Sequence, residues 1–541
     1  MKFEMHHLRL FILLLAPILT IPIFIPILDD AFTADWYNNS WEQRKKITTS
    51  LNTEISSDLT DFPALISFTH SDLTQTTETD GTDIVFTASD GTTELAYEIE
   101  RFDQSTGEVI AWVKIPTVSA SENTDIYIYY KGTATSSSSS VWDSNYKLIW
   151  HLNQTSTGTV REFSDVSDTG NDGTGGGTGD MTQDEDRRPT RVEAKIGYGQ
   201  SFDGPTQSGS GQGSGDFIWS QDVSNWPGNN GNTSDNDTTV EFWAKVDDGH
   251  SDESKMDFFG YFASGNDNEF ALFKVASLNL MTKGSLFNSD VDATTSDWTY
   301  LMIVYDPGGT SKIYQDGELA EQVDGTSGNK GQRHNGEFVL GGDVDGSGSN
   351  LKVNNELQGD LDEFRVSNTV RSADWAAASY CNQNGSNDCQ TVGPEEPLTV
   401  TITTSNGDCG DTISSDESIT FSYTTTFSTS TSDFTIGDIT VSGGTVSNFD
   451  GSGTTYTFDV VVSSSGTVIV SIAADAATNT AGNGNSVSNT CTLTADIPLV
   501  TTSDTSTGGT CSRHVILGNC GTITINNDEY RIIDTWTNVP T

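Results

Sequence analysis

Apolar and polar residues alternate with a period of two along most of this chain, and no long stretch with a helical apolar period appears after residue 35. In "DIYIYY", Ile126 and Ile128 face one way, Tyr127 and Tyr129 the other. Between about Trp36 and Trp142 the runs "RKKITTSL", "ALISFTH", "DIVFTAS", "LAYEIERF", "EVIAWVKIP" and "DIYIYYKG" are parted by turn formers such as "SDGTT" and "DQSTGE". Short strands at this spacing predict an antiparallel sandwich over 35–145. A second set of strands follows over 146–392 and a third over 397–496. The fold class predicted is all-β, a tandem of β-sandwiches. Residues 497–541 end in strand-like sequence and complete no domain.

The N-terminus breaks this pattern. After Lys2 and Arg9, residues 10–28 carry no charge; "AFTA" follows, and the polar chain begins at Asp35. Residues 1–34 read as a secretory signal cleaved after Ala34. An uncleaved anchor is the alternative, and it is the only membrane contact the sequence offers. Pro17, Pro22 and Pro26 count against it, as does the lack of a positive flank.

The net charge of −50 excludes nucleic acid and anionic membrane surfaces as partners, since binding phosphate needs clustered Lys and Arg. It leaves two readings open, a surface kept soluble in salt or acids gathered into cation sites.

Particular stretches add a resemblance. "WYNNSWEQRKKIT", "GTDIVFTASDGTTELAYEIERFD", "AWVKIPTVSASENTDIYIYYKG" and "VWDSNYKLIWHL" resemble a domain of unknown function found in secreted bacterial and archaeal proteins. That domain commonly precedes a laminin-G-like, concanavalin-A-type jelly roll. "TTVEFWAKV", "DWTYLMIVYD", "KIYQDGELA" and "LQGDLDEFRVSNTVRSADWAAASY" resemble successive strands of such a jelly roll. Trp243, Trp298 and Tyr300 fall where that family places core aromatics. "DFTIGDITVSGGTVSNFDGSGTTYTFDVVV" and "NTCTLTAD" resemble the bacterial Ig-like repeat of large surface adhesins. The resemblance implies location and company rather than chemistry.

The candidate chemistry begins with Asp360, Asp362 and Glu363 in "GDLDEFRVS". On a regular strand Asp360 and Asp362 share one face, while Leu361 and Glu363 share the other, unless a bulge intervenes. Spacing alone does not exclude a glycosidase pair. Jelly-roll glucanases alternate three acids, however, and Phe364 occupies the third place. No catalytic residues are assigned. His70, His151, His250, His334 and His514 are scattered, with no i, i+4 pair.

Two glycine-punctuated clusters are candidate Ca²⁺ ligands: Asp165, Asp168, Asn171 and Asp172 in one, Asp343 and Asp345 in the other. Asx turns would explain the same residues. Trp219 and Trp226 lie in a polar region, either as exposed platforms for sugar rings or as caps on the sandwich. Six cysteines fit an oxidising compartment. Nearest neighbours suggest Cys381 with Cys389, Cys409 with Cys491, and Cys511 with Cys520, though sequence leaves the connectivity open.

The expected function is secreted or cell-surface, adhesin-like binding of a glycan or surface partner, supported by Ca²⁺. An ancillary or catalytic part of a polysaccharide-degrading enzyme and a structural envelope component are the alternatives.

Overall fold

The structure, a computed structural model, describes residues 37–497 apart from internal stretches, the longest of them 205–214, 224–236 and 325–335. Residues 1–34, Trp226, Cys511 and Cys520 lie outside the described residues. No helix among the described residues is long and apolar enough to cross a membrane. The architecture is all-β, as the alternation predicts.

The N-terminal sandwich pairs a sheet of Leu59–Thr69, Glu108–Val118 and Tyr97–Asp103 with one containing Gln43–Thr49, Thr124–Tyr130 and Ile84–Ala88. Ile47, Phe62, Ile66, Phe86, Val113 and Ile128 are among the residues buried in it. Its fourth edge strand was not legible. Gln390–Glu395 returns from beyond the jelly roll and pairs antiparallel with Gln43–Thr49, Thr49 opposite Gln390 and Ile47 opposite Val392. The boundary drawn at residue 392 therefore cuts through a strand of the first sandwich. "QTVGPE" hides its character behind Gly393 and Pro394, which an edge strand tolerates. The Cys381–Cys389 disulfide, Cα atoms 5.9 Å apart, stands just before this strand.

In the jelly roll an eight-stranded sheet, with Thr238–Val246 and Gln358–Ser367 adjacent at its centre, faces a seven-stranded one. Phe242, Phe259, Phe338, Leu361 and Phe364 fill the space between. Tyr146–Trp150 pairs with Gln358–Ser367.

One element escapes the period-two reading. Ala373–Gln383 is an α-helix, begun where Ser372 accepts a bond from the Trp375 N–H at 3.1 Å. It joins the two sandwiches. Gln383 accepts from the Trp243 indole at 2.9 Å. Asn382 accepts from Leu65 N at 2.6 Å and donates to Leu65 O at 3.0 Å. One side-chain amide thus satisfies backbone groups on an edge strand that would otherwise be buried unpaired.

The Ig-like sandwich packs Phe421, Phe458, Val470 and Leu493 between a three- and a four-stranded sheet. Cys409 and Cys491 are bonded, with Cα atoms 4.9 Å apart. Cys491 opens the last strand, and Cys409 lies in the turn after Val400–Thr404, near the start of the domain.

Candidate functional site: a buried ionic cluster and the cleft beside it

The acid-rich strand carries a bulge. Trp243 stands opposite Asp362 and Glu241 opposite Arg365, so the register shifts between them. Glu363 takes the extra position with φ +54°, left-handed backbone that a non-glycine residue adopts at a cost of about 1 kcal/mol. The bulge also falls where the neighbouring strand Tyr198–Asp203, paired up to Leu361, gives way to Tyr146–Trp150, paired from Phe364. Its effect is to turn the side chains. Leu361 and Phe364 enter the core, while Asp362, Glu363 and Arg365 all project from the outer face.

That face is closed. Asp362 is 0% exposed and Glu363 1%. Glu98 and Glu100 come from Tyr97–Asp103 of the N-terminal sandwich, and Trp112 and Trp142 complete the lid. His151 Nδ1 lies 2.8 and 3.0 Å from the two carboxylate oxygens of Glu363 and 3.7 Å from Glu100 Oε2. Its Nε2 is 3.5 Å from Glu98 Oε1. Trp112 donates to Glu100 and Trp142 to Glu98, each at 3.0 Å. Arg365 donates to Glu363 and lies 4.2 Å from the Trp112 ring centre. The Ile196 N–H donates to Asp362 at 2.7 Å.

Burial and neighbouring charge divide these groups. Burial, then the Glu363 charge, push Glu100 up to about 8. Burial, then Glu363 and Glu100, push Asp362 well above the carboxylate range. Burial opposes the charged form of Glu363, yet His151 and Arg365 hold it below its ordinary value. Burial likewise opposes His151, and Glu363, Glu100 and Glu98 outweigh it, so the imidazole stays charged well above its ordinary range.

Ile196 also lines a polar cleft of about 330 Å³ at the junction of both sandwiches and the helix. Arg101, Glu108, Glu193, Lys195, Asn384 and Gln390 line it as well. Arg101 pairs with Glu108 at 3.0 Å and with Glu193 across the junction at 3.4 Å. Lys195 donates to Asn384 Oδ1 at 2.7 Å, and burial lowers its pKa.

Of the residues singled out from sequence, Asp362 and Glu363 lie in this cluster, and the candidate calcium and sugar-stacking residues lie elsewhere. Asp165 staples its own loop: its carboxylate accepts from the N–H groups of Ile149, Ser167 and Asn171 and from the hydroxyls of Ser167 and Thr169, all within 2.8–2.9 Å. Asp172 accepts from Asp165 N at 2.9 Å, the Asn171 amide donates to Lys147 O at 2.8 Å, and Asp168 is exposed. This is Asx-turn geometry. Asp343 is buried and accepts from Lys255 at 3.1 Å, while Asp257 lies 3.0 Å from the same ammonium. The cluster thus has a cation that sequence placed far away. The strand Asp343–Asp345 sets Asp345 opposite Lys352. Trp219 is not an exposed platform: it is 2% exposed and packs with Phe217, Val339 and Val353. Pairing opposite Val339 puts it on the sheet face away from the main core, where Phe217 and Val353 cover it.

Three family models match in the order the resemblance implies. Residues 80–172 match a domain of unknown function (DUF2341), 220–377 the concanavalin A-like lectin/glucanases superfamily, and 395–495 a bacterial Ig-like domain. The chain carries these three domains in that order. The first match runs past residue 145 and so takes in His151 and the strand Tyr146–Trp150. No curated protein matches the chain.

Among solved structures, the receptor binding domain of botulinum neurotoxin D is 12% identical, with a TM-score of 0.31 over 44% of this chain and 53% of that one. Domain 4 of AbnA, a GH43 extracellular arabinanase from Geobacillus stearothermophilus solved with arabinotriose, is 17% identical, with a TM-score of 0.29 over 43% and 97%. A pentraxin from Limulus polyphemus is 14% identical, with a TM-score of 0.26 over 36% and 94%. The chain spans about half the length of the neurotoxin chains it matches. Likenesses this remote carry no weight for what this chain binds.

Proposed function

We propose that this protein is a secreted or cell-surface glycan-recognition module, not an enzyme, and that its sugar site is the polar cleft between the two sandwiches. The observation that carries this reading is the exchange of one surface for another. The strand where a jelly-roll glucanase keeps its acids is sealed under Trp112 and Trp142, and the cleft stands open at the seal's edge. Its volume falls in the range of small-ligand sites. Its lining of amides, carboxylates and two cations offers the donors and acceptors that sugar hydroxyls need. The Ig-like sandwich, tied by Cys409–Cys491, serves as a spacer. Calcium support belongs to this proposal at the Asp165–Asp172 loop, where Asp168 is exposed.

The test is a glycan array probed with the full chain, then with Lys195→Ala and Asn384→Ala. A hit weakened at least tenfold by either substitution is expected. An array without a hit, or a hit indifferent to both changes, sinks the reading. Release of reducing ends from β-glucan that disappears in Asp362→Asn would instead restore the hydrolase alternative.

A further inference from the structure

Three buried carboxylates, Glu100, Asp362 and Glu363, and the partly exposed Glu98 meet one imidazole and one guanidinium between the sandwiches. Two acids are left over, and a buried excess of this kind calls for protons or a cation. The geometry favours a cation. One donor atom each from Glu100, His151 and Glu363 lies within 4.8 Å of the others. Donors around a tetrahedral ion with bonds of about 2.1 Å stand roughly 3.4 Å apart. The His151–Glu363 separation of 2.8 Å and the His151–Glu100 separation of 3.7 Å bracket that figure. Small side-chain shifts would admit the ion.

We propose that Glu100, His151 Nδ1 and Glu363 form a divalent transition-metal site, of the kind zinc occupies, that ties the N-terminal sandwich to the jelly roll. This does not rest on the glycan reading. A second observation points the same way. Imidazoles that ligate a metal almost always give their other nitrogen to a carboxylate or carbonyl, and the carboxylate ligands are held in turn. Here Glu98 faces Nε2 at 3.5 Å and is itself held by the Trp142 indole. Trp112 holds Glu100, and Arg365 holds Glu363. Both carboxylate ligands therefore have outer partners, and Glu98 stands just beyond hydrogen-bond reach of the imidazole's second nitrogen. The nitrogen ligand and the small number of converging oxygens suit zinc or cobalt better than calcium, which takes six to eight oxygens.

The experiment uses the full chain stripped with chelator and reloaded with Co²⁺, which reports its ligands by visible absorption. The expected result is a one-to-one absorption band that Zn²⁺ displaces, that excess Mg²⁺ does not, and that His151→Gln abolishes. Zn²⁺ should also raise the melting temperature by several degrees. Should His151→Gln not fold, Glu98→Gln keeps all three ligands and should bind Co²⁺ about 10–100-fold more weakly. Wild-type protein without a Co²⁺ band overturns the proposal. So does a band unchanged in His151→Gln, or unchanged affinity in Glu98→Gln, because the ion then sits on surface acids.

Discussion

His151 and Glu363, 212 residues apart in the chain, meet at 2.8 Å on the outer face of one jelly-roll sheet, under the cover of the N-terminal sandwich. Each holds the other's charge in a place closed to water. Removing one partner strands the other, which costs more than the pair contributes when intact.

His151→Ala should therefore lower unfolding stability by about 3–5 kcal/mol. The loss is predicted to fall on both sandwiches together, because the jelly-roll pair lies under Glu98, Glu100 and Trp112 of the N-terminal sandwich. Urea unfolding followed by tryptophan fluorescence measures this. A loss below about 1 kcal/mol would show that the pair is incidental to stability.

Asp165→Ala removes the common acceptor of three N–H groups and two hydroxyls. The expected cost is about 2–4 kcal/mol in metal-free buffer, since several donors lose their partner at once. Thermal melts with chelator and with millimolar Ca²⁺ separate two roles. The same deficit in both buffers identifies a loop staple; a deficit confined to the Ca²⁺ buffer identifies an ion ligand.

Asp216 and Asp203 each accept from the other's backbone N–H, at 3.1 and 3.2 Å. Burial, then the Asp203 charge, raise Asp216 to about 7. The folded state thus holds a proton that the unfolded chain releases near pH 4, so this group's stability contribution is full below that and is lost as pH rises through about 7. The slope is at most about 1.4 kcal/mol per pH unit. Asp216→Asn should flatten the pH dependence of melting between pH 5 and about 7.5 and raise stability at the upper end. An unchanged profile would remove Asp216 as its source.

Reducing Cys381–Cys389, or replacing both with Ser, should loosen the return strand. The expected cost is about 2–3 kcal/mol for so short a loop. Hydrogen exchange should speed up in Gln390–Glu395 and in its partner Gln43–Thr49, but not in the Ig-like sandwich.

Much of the fold was legible because alternation is a local signal. "DIYIYY" announces a strand wherever its partner lies, and the order of domains follows from such runs. Of the candidate site only Asp362 and Glu363 stood out, and the arrangement was not legible, for two physical reasons. A bulge at Glu363 turns it to the same face as Asp362, and nothing marks that position, since the usual glycine is absent. The other members, Glu98, Glu100 and His151, converge only through tertiary pairing; "YEIER" reads as one wet strand edge until a second sandwich covers it. Phe364 had looked like an interruption among acids, but it is a core residue on a strand whose acids were displaced. The cation beside Asp343, Lys255, lies 88 residues upstream, beyond the reach of any local pattern. Ala373–Gln383 was missed although Ser372 stands at its start, because about three turns with small and polar residues on most faces establish no clear period.

The return strand has a consequence for how the protein is made. Thr49 takes its partner from Gln390, so the first sandwich cannot finish its sheet until the whole jelly roll has left the ribosome. In topological terms the jelly roll is a guest inserted into a host. Chains of several domains ordinarily fold from the N-terminus forward as they emerge. Here the guest can close first, while the host waits with an open edge along Gln43–Thr49. During synthesis that edge stays open to other pairing partners, and Gln390–Glu395 shuts it last.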